Sequence, residues 1–457
     1  MTDLYDFLSG QVPGGIFLLV FLLLVVHLLF IYLRKSELIS RKTSRRNRLY
    51  FTLLLLFVYV LLWFDLQPPK PQQRIVVLPT LSADGSLPEE GSAFAFAETL
   101  QRTAWQDSLK DRYFLHRWEW LLETVGKDSF AVVPFWRHVA ENIGASYVIT
   151  SQRTADGFTA GVSDLSKPDE RGKKYHIAQD DDFSALIDQI QQDFHFFTKD
   201  QIPVVKIDEK YLKAKFYFYL KDYDWALKIL NPLNTPEATV LKAAVYVQKG
   251  LRRKVDRKKA EYLKIKIPEF EQARRLLAPL LRQRKDVKGL AYWLGRMAMH
   301  EGDFTRAEIY LKKALVDDPE DCRVHYALSF LLPVRLKELG YGSRIDILEK
   351  AVRLDPGYRD AVYDLANSYY LSGSGSETGP TTSRAIKTIE RYLSINRKDA
   401  QINSLLGMLY IRIKRFNQAQ QIFEQLLRQY PNDSNSYYNM GIVYFMKKEY
   451  RKALPYF

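Results

Sequence analysis

Two long apolar runs near the start of the chain are its most uniformly hydrophobic segments. Residues 16–33 are apolar apart from His27, and residues 49–66 are nearly as apolar, with Asp65 close to the end. Each run of 18 residues would span roughly 27 Å as an α-helix, which is close to the hydrocarbon thickness of a bilayer. The pattern therefore predicts two transmembrane helices.

The loop between these runs, residues 34–48, is strongly basic: it carries seven Lys and Arg residues against one acidic residue, Glu37. By the positive-inside rule this loop is cytoplasmic. Residues 1–15 would then form a short extracytoplasmic tail, and everything beyond residue 66 would be periplasmic in a multi-pass protein of a bacterial inner membrane. A cleaved signal peptide fits less well, because the chain begins with acidic residues and has no small-residue cleavage site after residue 33.

Beyond the second apolar run the periodicity changes. A Pro-rich stretch at residues 67–73 is typical of a stiff, extended spacer. Patterns of buried strands follow at residues 75–79, 130–134, 144–150 and 158–163. Helical patterns alternate with them at residues 96–109, 114–124, 136–143 and 182–197. This alternation predicts a small α/β domain over residues 74–200.

Two segments of the predicted α/β domain carry a resemblance to a known family. Residues 74–79 read RIVVLP, and residues 142–165 read NIGASYVITSQRTADGFTAGVSDL. Both resemble the TolB-like amino-terminal domain of bacterial envelope proteins. The resemblance implies a role in envelope assembly or interaction, and it brings no discrete chemical motif with it.

In the C-terminal part, glycine, alanine and aromatic residues recur with a period of about 34 residues. Three alanines each follow a glycine by 12 positions: Ala307 follows Gly295, Ala419 follows Gly407, and Ala453 follows Gly441. An aromatic residue lies three places before each alanine, and prolines end the second helices at Pro319, Pro356 and Pro431. Small residues allow two antiparallel helices to approach closely, and the aromatic residues fill the space beside them.

These residues and their spacing resemble the tetratricopeptide repeat (TPR) family. The resemblance implies an α-solenoid over residues 208–457, built from helix pairs whose concave side holds a peptide or protein. In the fourth unit, Arg344 falls where a small residue is expected, which predicts a looser helix contact. The seventh unit stops at Phe457 before its second helix is complete, so we expect further chain or another subunit to cover that end. The predicted fold is mainly α, with two transmembrane helices, a small α/β domain and a TPR α-solenoid.

Fixed positions on the first helix of each repeat line the concave groove in this family. Tyrosine occupies one of these positions in four repeats, and tyrosines can pack against an extended peptide and hydrogen-bond its backbone. The groove residues implied by the resemblance are Tyr292, Arg296, Tyr326, Tyr363, Asn367, Tyr370, Arg412 and Tyr438. The alternative is that these side chains pack against neighbouring helices of the array and do not contact a peptide. The family's carboxylate clamp for chaperone tails uses a lysine at the tyrosine position, and no repeat here has one, so that ligand class is disfavoured.

The net charge of +14 arises from 67 Lys and Arg residues against 53 Asp and Glu residues, and much of the excess is local. Beside the loop at 34–48, a second basic cluster lies in an insertion at residues 252–266. The residues of this basic patch are Arg252, Arg253, Lys254, Arg257, Lys258 and Lys259. The patch is either a solvated helical extension or a docking surface for an acidic protein, anionic lipid headgroups or a polysaccharide.

Motifs for catalysis are missing from the sequence. The chain has no GxGxxG, GxxxxGK[ST] or GxSxG motif. Its seven histidines lack metal-ligand spacing, and Cys322 is the only cysteine, so no intramolecular disulfide is possible. We therefore expect no catalytic residue, no metal and no cofactor. Trp105, Trp118 and Trp120 are expected in a core rather than in a ligand cage.

The leading interpretation is a non-enzymatic, inner-membrane-anchored scaffold whose periplasmic TPR repeats bind a protein partner in an envelope assembly. The alternative is a membrane sensor or carrier whose TolB-like domain binds a small ligand or glycan. The expected partners are a protein or peptide in the groove, the lipid bilayer at the two helices, and an acidic partner at the basic patch. A nucleic acid is not expected on the external side of a membrane.

Overall fold

The computed structural model describes residues 73–85, 92–104, 113–125, 133–167, 172–178, 183–194, 196, 208–253, 267–283, 285, 287–372 and 380–457. All of them belong to one compact unit, Gln73–Phe457. This unit combines a five-stranded sheet and its helices with an array of helix pairs.

The prediction of two transmembrane helices has to be corrected. Among the described residues, no helix is both long and apolar enough to cross a membrane. The longest, Pro236–Arg252, has 17 residues and carries two lysines as well as its terminal arginine. The predicted spans, residues 16–33 and 49–66, and the loop at 34–48 lie outside the described residues. The corrected fold class is a mainly helical TPR solenoid with a small sheet, and the multi-pass inner-membrane location and the bilayer contact are withdrawn with the spans.

The sheet consists of β1 (Gln73–Val77), β2 (Tyr113–Leu115), β3 (Tyr147–Thr154), β4 (Gly157–Asp164) and β5 (Lys173–Ile177). Its strand order is β2-β1-β3-β4-β5. Strand β1 pairs in parallel with β2 and β3, whereas β4 pairs antiparallel with β3 and β5. Strand β1 is therefore internal to the sheet, and its Ile75 and Val76 are fully buried, as its apolar run predicts.

The helices beside the sheet are α1 (Ala95–Ala104), α2 (Trp118–Val125), α3 (Val133–Asn142) and α4 (Ser184–Phe194). The strand predicted at residues 130–134 is wrong at its end, because Val133 begins α3 and Pro134 lies in its first turn, where proline is tolerated. Residues 130–132 lie outside the described residues. Trp136, Val139 and Ala140 are fully buried at helical spacing. The second parallel partner of β1 is instead β2, close to the start of a segment for which the sequence predicts a helix.

The repeat helices are α5 (Glu209–Tyr219), α6 (Tyr223–Leu230), α7 (Pro236–Arg252), α8 (Pro268–Arg282), α9 (Leu290–His300), α10 (Phe304–Asp317), α11 (Cys322–Leu328), α12 (Pro333–Glu338), α13 (Arg344–Leu354), α14 (Arg359–Ser372), α15 (Pro380–Ile395), α16 (Ala400–Arg412), α17 (Phe416–Gln429), α18 (Ser434–Met446) and α19 (Tyr450–Ala453). Aspartate side chains cap several of them by accepting a backbone N–H of the first turn. These caps are Asp222, Asp303, Asp321, Asp399 and Asp433. Each cap satisfies a donor that the helix leaves unpaired, so the repeat boundaries are encoded locally.

The glycines at the small positions allow close helix contact, as the repeat pattern predicts. A Cβ placed on Gly407 would lie 2.5 Å from the ring of Phe423, and one on Gly295 would lie 2.8 Å from Leu311. Both neighbours are fully buried. The first and second helices of these repeats can therefore pack at this distance only because the side chain is absent.

The fourth repeat differs from the sequence prediction because the extra helix α12 shifts its register. Ala307 is the fourth residue after the cap Asp303, and the corresponding fourth residue after the cap Ser343 is Ile347. Arg344 therefore does not occupy the small position. It begins α13 and donates to Asp364 at 2.7 Å.

Candidate functional site

The α/β part contacts the C-terminal parts of two second helices of the repeats. Arg74 of β1 donates to the carbonyl oxygens of Leu354 at 2.8 Å and Arg353 at 2.5 Å, at the end of α13. Arg391 of α15 donates to the carbonyl oxygen of Ile143, just after α3, at 2.7 Å. These bonds join residues 280 and 248 positions apart in the chain. The sheet is therefore held against the edge of the repeat array by specific hydrogen bonds.

A buried ion network lies where α1 and α2 meet α5. Lys215 Nζ lies 2.9 Å from Glu98 Oε2 and also contacts Glu119. Trp118 Nε1 donates to Glu98 at 2.8 Å, and Arg102 Nε donates to it at 2.9 Å. Burial by itself raises the pKa of Glu98, but Lys215 and Arg102 outweigh it and lower that pKa to about 2. The carboxylate is therefore ionised and fully partnered at neutral pH.

A second set of buried ion pairs connects the segment before α2 with the turn before α11. Arg117 Nη2 donates to Asp318 Oδ1 at 2.6 Å and lies near Asp321 as well, and all three side chains are only 7% exposed. Asp321 also accepts from Arg323 at 2.8 Å, and Arg323 donates to the hydroxyl of Tyr219 at 2.8 Å. Burial raises the pKa of Asp321, but Arg323 and Arg117 bring it well below the usual range.

The two ion networks line a cavity of about 280 Å³ between the α/β part and the first repeats, which we name the paired cavity. Its apolar wall includes Val240, Leu241 and Trp293. Lys288 at its rim lies 3.0 Å from Asp318. Because the acidic groups described above already have basic partners, the charges of this cavity account for the attachment of the two parts to each other.

A smaller cavity of about 210 Å³ adjoins it at the start of the repeats, and we name it the Arg296 pocket. Its lining includes Arg252, Arg296, Tyr292, Tyr358, Glu123 and Asp360. Arg296 is partly buried, yet within the described part of the chain its guanidinium makes no hydrogen bond or ion pair. The sequence places Arg252 in the basic patch and Tyr292 and Arg296 in the groove; the folded chain brings all three to one pocket.

The tyrosines of the repeats differ in what their hydroxyl groups bond. Tyr392 donates to Asp399 at 3.1 Å, and Tyr410 donates to Glu390 at 2.9 Å, so both hydroxyls tie the helices together. Three of the predicted groove tyrosines are only half-buried, and their hydroxyls bond to none of the described residues. These are Tyr326, Tyr363 and Tyr370.

The rings of the groove tyrosines make local contacts of their own. Tyr326 packs edge-on against Phe330 and Tyr358, with ring centroids 5.1 and 5.2 Å apart. The guanidinium of Arg412 lies 3.8 Å from the centre of the Tyr370 ring and also donates to the Tyr370 carbonyl oxygen. Arg412 therefore joins the first helices of two successive repeats.

The remaining predicted groove residues have very different exposures. Tyr292 is only 5% exposed and packs edge-on against Trp293, whereas Tyr438 is 58% exposed and packs against Phe457. Asn367 is half-buried on α14, and its amide bonds to no residue within the described ranges. The accessible predicted residues thus lie mainly in the second half of the array.

Only the beginning of the basic patch lies within the described residues. Arg252 lies over the ring of Tyr223 at 4.7 Å, and Arg253 pairs with Glu269 at 3.1 Å. Lys254, Arg257, Lys258 and Lys259 lie outside the described residues. Arg252 and Arg253 therefore differ in their availability, because Arg253 already has a carboxylate partner.

Sequence reasoning missed the residues that hold the α/β part to the repeats. His116 Nδ1 lies 2.7 Å from Arg74 Nη1, and its ring packs edge-on against Trp120 at 5.6 Å. Burial lowers the pKa of His116 well below its ordinary value, and the charges of Arg74 and Arg117 lower it further. A neutral imidazole results, which accepts from Arg74. The sequence feature that could have indicated these contacts is an arginine directly before each of two apolar segments, at Arg74 and Arg117.

Antiparallel helix pairs with glycine contacts and aspartate caps define a helical-repeat protein. Two family models agree with this class: both are described as tetratricopeptide repeat, and they match residues 269–321 and 381–454. The chain therefore contains tetratricopeptide repeats, a fold that binds protein or peptide partners.

Solved structures show a partial similarity to this chain. The MamA protein is 22% identical, with 37% of this chain and 87% of that chain covered and a TM-score of 0.31. YrrB, described as a TPR protein with an unusual peptide-binding site, is 20% identical, with coverage of 39% and 88% and a TM-score of 0.33. A tetratricopeptide repeat protein from Parabacteroides merdae is 15% identical, with coverage of 47% and 77% and a TM-score of 0.32. No curated protein matches.

Proposed function

We propose that this protein is a non-enzymatic scaffold whose tetratricopeptide repeats hold a segment of a protein partner along their first helices. The second half of the array, from α11 to α18, supplies the main contact surface. An extended segment needs hydrogen-bonding groups and apolar rings side by side, since its backbone groups lose water when they bind.

The observation that carries the proposal is the state of the tyrosine hydroxyls. Tyr326, Tyr363 and Tyr370 are half-buried, and their hydroxyls bond to none of the described residues. The tyrosines that tie helices together, such as Tyr392 and Tyr410, do have carboxylate partners. Half-buried rings whose hydroxyls have no partner among the described residues are suited to peptide contact, because little side-chain entropy remains to be lost.

The α/β part has a supporting role in this proposal. It is attached to the repeats through Arg74, Arg117 and Arg391, so it positions the array. The alternative function, with a small ligand or glycan in a TolB-like domain, calls for a polar pocket within that domain. The two cavities described above are shared with the repeats instead. A role of the partner in envelope assembly has only the TolB-like resemblance in its favour.

The first experiment places a photo-crosslinking amino acid at Asn367, in the middle of the proposed surface. The same group at Lys387, which is exposed on α15, serves as the control. The proposal expects a protein adduct from the first position and none from the second. The adduct must also be lost when Tyr326 and Tyr363 are both replaced by Ala.

The second experiment measures affinity for the partner so identified. Tyr326→Ala with Tyr363→Ala should weaken binding by about 2–4 kcal/mol, or about 30- to 700-fold, if the two rings are central anchors. Tyr430→Ala, at an exposed tyrosine that ends α17, should leave the affinity unchanged. A thermal melt accompanies each titration. Unchanged binding together with a collapsed melt for the double variant would show that these tyrosines are core residues, and the proposed surface would be wrong.

A further inference from the structure

We propose that the Arg296 pocket binds the side-chain carboxylate of an aspartate or glutamate in the partner segment. This inference rests on the proposed function, because it names a chemical group that the bound segment presents. The pocket lies at the junction of α2, α7, α9 and α14. It is thus built from the α/β part as well as from the repeats.

Two guanidinium groups that line the pocket make no ion pair with any described carboxylate. Lys221 lies 3.9 Å from Glu123, and Asp360 lies 3.5 Å from Arg359, so both carboxylates have a basic neighbour. Within the described part of the chain, Arg296 makes no ion pair or hydrogen bond, and Arg252 contacts the ring of Tyr223 without a carboxylate partner. A partly buried guanidinium without hydrogen-bond partners is unfavourable. An incoming anion would supply those partners.

The paired cavity provides an internal comparison. It has similar residue types, but Arg117, Arg323 and Lys215 each bond a carboxylate of this same chain. An added anion would therefore find few unpaired basic groups to bind in the paired cavity. Of the two adjoining cavities, only the Arg296 pocket has, among its described lining residues, guanidinium groups that make no ion pair or hydrogen bond.

Neutral donors in the pocket complete a site for an oxygen anion. The hydroxyls of Tyr292 and Tyr358 and the amide of Gln248 have no hydrogen-bond partner within the described ranges. A planar guanidinium can hold both oxygens of a carboxylate, while phenol and amide groups donate to the remaining lone pairs.

Volume and charge select the kind of anion. The pocket holds about 210 Å³, which is less than the roughly 300–1,000 Å³ of sites for drug-sized ligands. It therefore fits one side chain. Glu123 and Asp360 also line it, and they would repel a dianionic phosphate more strongly than a singly charged carboxylate. The lysine of the family's clamp for chain-terminal carboxylates is absent at the tyrosine position, which favours a side chain over a chain end.

The test uses the purified protein and small probes, without any partner. The probes are N-acetyl-glutamate amide, its neutral isostere N-acetyl-glutamine amide, N-acetylglycine and inorganic phosphate, all at equal ionic strength. Isothermal titration and the shift of the melting temperature report binding. We expect N-acetyl-glutamate amide to bind at least tenfold more tightly than each of the other three.

Two variants locate the binding. Arg296→Gln should weaken binding of N-acetyl-glutamate amide at least tenfold, and Arg252→Gln about threefold. Arg306→Gln is the matched control, since Arg306 is 75% exposed on α10 and pairs with Asp303; it should change the affinity less than twofold. If Arg296→Gln does not fold, Arg252→Gln, at an exposed position, decides the question.

Several outcomes would overturn the inference. Equal binding of the glutamine probe would exclude recognition of charge, and tighter binding of phosphate would exclude a carboxylate as the ligand. Equal binding of N-acetylglycine would assign the pocket to a chain end. Retained affinity in a folded Arg296→Gln variant would exclude this pocket. Because no partner is present, a positive result here together with failure of the Tyr326 and Tyr363 test would reject the proposed function alone.

Discussion

The attachment of the α/β part to the repeats makes a sharp prediction at Arg117. Its guanidinium donates to Asp318 at 2.6 Å, and both side chains are 7% exposed. Arg117→Met removes the charge while keeping most of the apolar contact with Trp120, whose ring centre lies 4.7 Å from the guanidinium. The variant leaves the buried carboxylate of Asp318 with one basic partner fewer.

The expected cost follows from what remains around that carboxylate. Removing one member of a buried ion pair typically costs about 3–5 kcal/mol, because an uncompensated charge stays behind. Lys288 still lies 3.0 Å from Asp318, so we expect the lower end, about 3 kcal/mol. Adding Asp318→Asn to the Arg117→Met variant should recover part of the loss, since the stranded charge is then removed.

Urea unfolding followed by tryptophan fluorescence measures these differences, because Trp118 and Trp120 are buried beside the contact. Lys288→Met is the control: its side chain is 42% exposed, so its loss should cost less than about 1 kcal/mol. If Arg117→Met costs less than about 1 kcal/mol, or if the added Asp318→Asn destabilises further by several kcal/mol, the reasoning about a buried pair is refuted.

Three further predictions concern single positions. Gly407→Leu should destabilise the fold by about 3 kcal/mol, because even a Cβ would lie 2.5 Å from the buried Phe423 ring. A change of under 1 kcal/mol would move the melting temperature by only about 1–2 °C, and a change that small would contradict the prediction. Burial raises the pKa of Asp355 to about 7. The stabilisation linked to this raised pKa is therefore complete below about pH 4 and is lost as the pH rises through 7. Asp355→Asn should reduce the slope of the unfolding free energy against pH between those values, and an unchanged slope would disprove the prediction. Lys414 has a φ of 60°, a left-handed conformation that costs an L-residue about 1 kcal/mol. Lys414→Gly should therefore raise the free energy of unfolding in urea by about 1 kcal/mol, and a loss of stability would argue against strain at this position.

The candidate site was accessible to sequence reasoning residue by residue but not as an arrangement. Arg252, Arg296 and Tyr292 could each be singled out, from a run of basic residues and from fixed repeat positions. Their meeting in one pocket depends on how α7 packs beside α9, and on the approach of Glu123 from the α/β part. The same limit applies to Tyr292 and Tyr326, which occupy the same position in successive repeats: only the folded chain shows that Tyr292 is 5% exposed whereas Tyr326 is half-buried.

The repeats could be predicted from local spacing, because a TPR array is built from contacts between helices that are neighbours in the chain. The spacing of Gly407 to Ala419, the caps such as Asp399 and the prolines after the second helices act within about 34 residues, a single repeat. Local spacing was therefore enough to predict them. It did not show the added helix α12 in the fourth repeat. It also missed that residues 133–134 begin a helix, because short apolar runs of helix and strand look alike.

Tertiary structure alone decided how the α/β part and the repeats are joined. Arg74 and Arg117 reach residues 280 and 201 positions away, and no periodicity connects such distant positions. A buried charge is stable only when its partner lies within a few ångströms in a medium of low polarity. That condition depends on the placement of whole elements in space, so the ion networks, and Arg296 beside them with no ion pair to a described residue, become visible only in the folded chain.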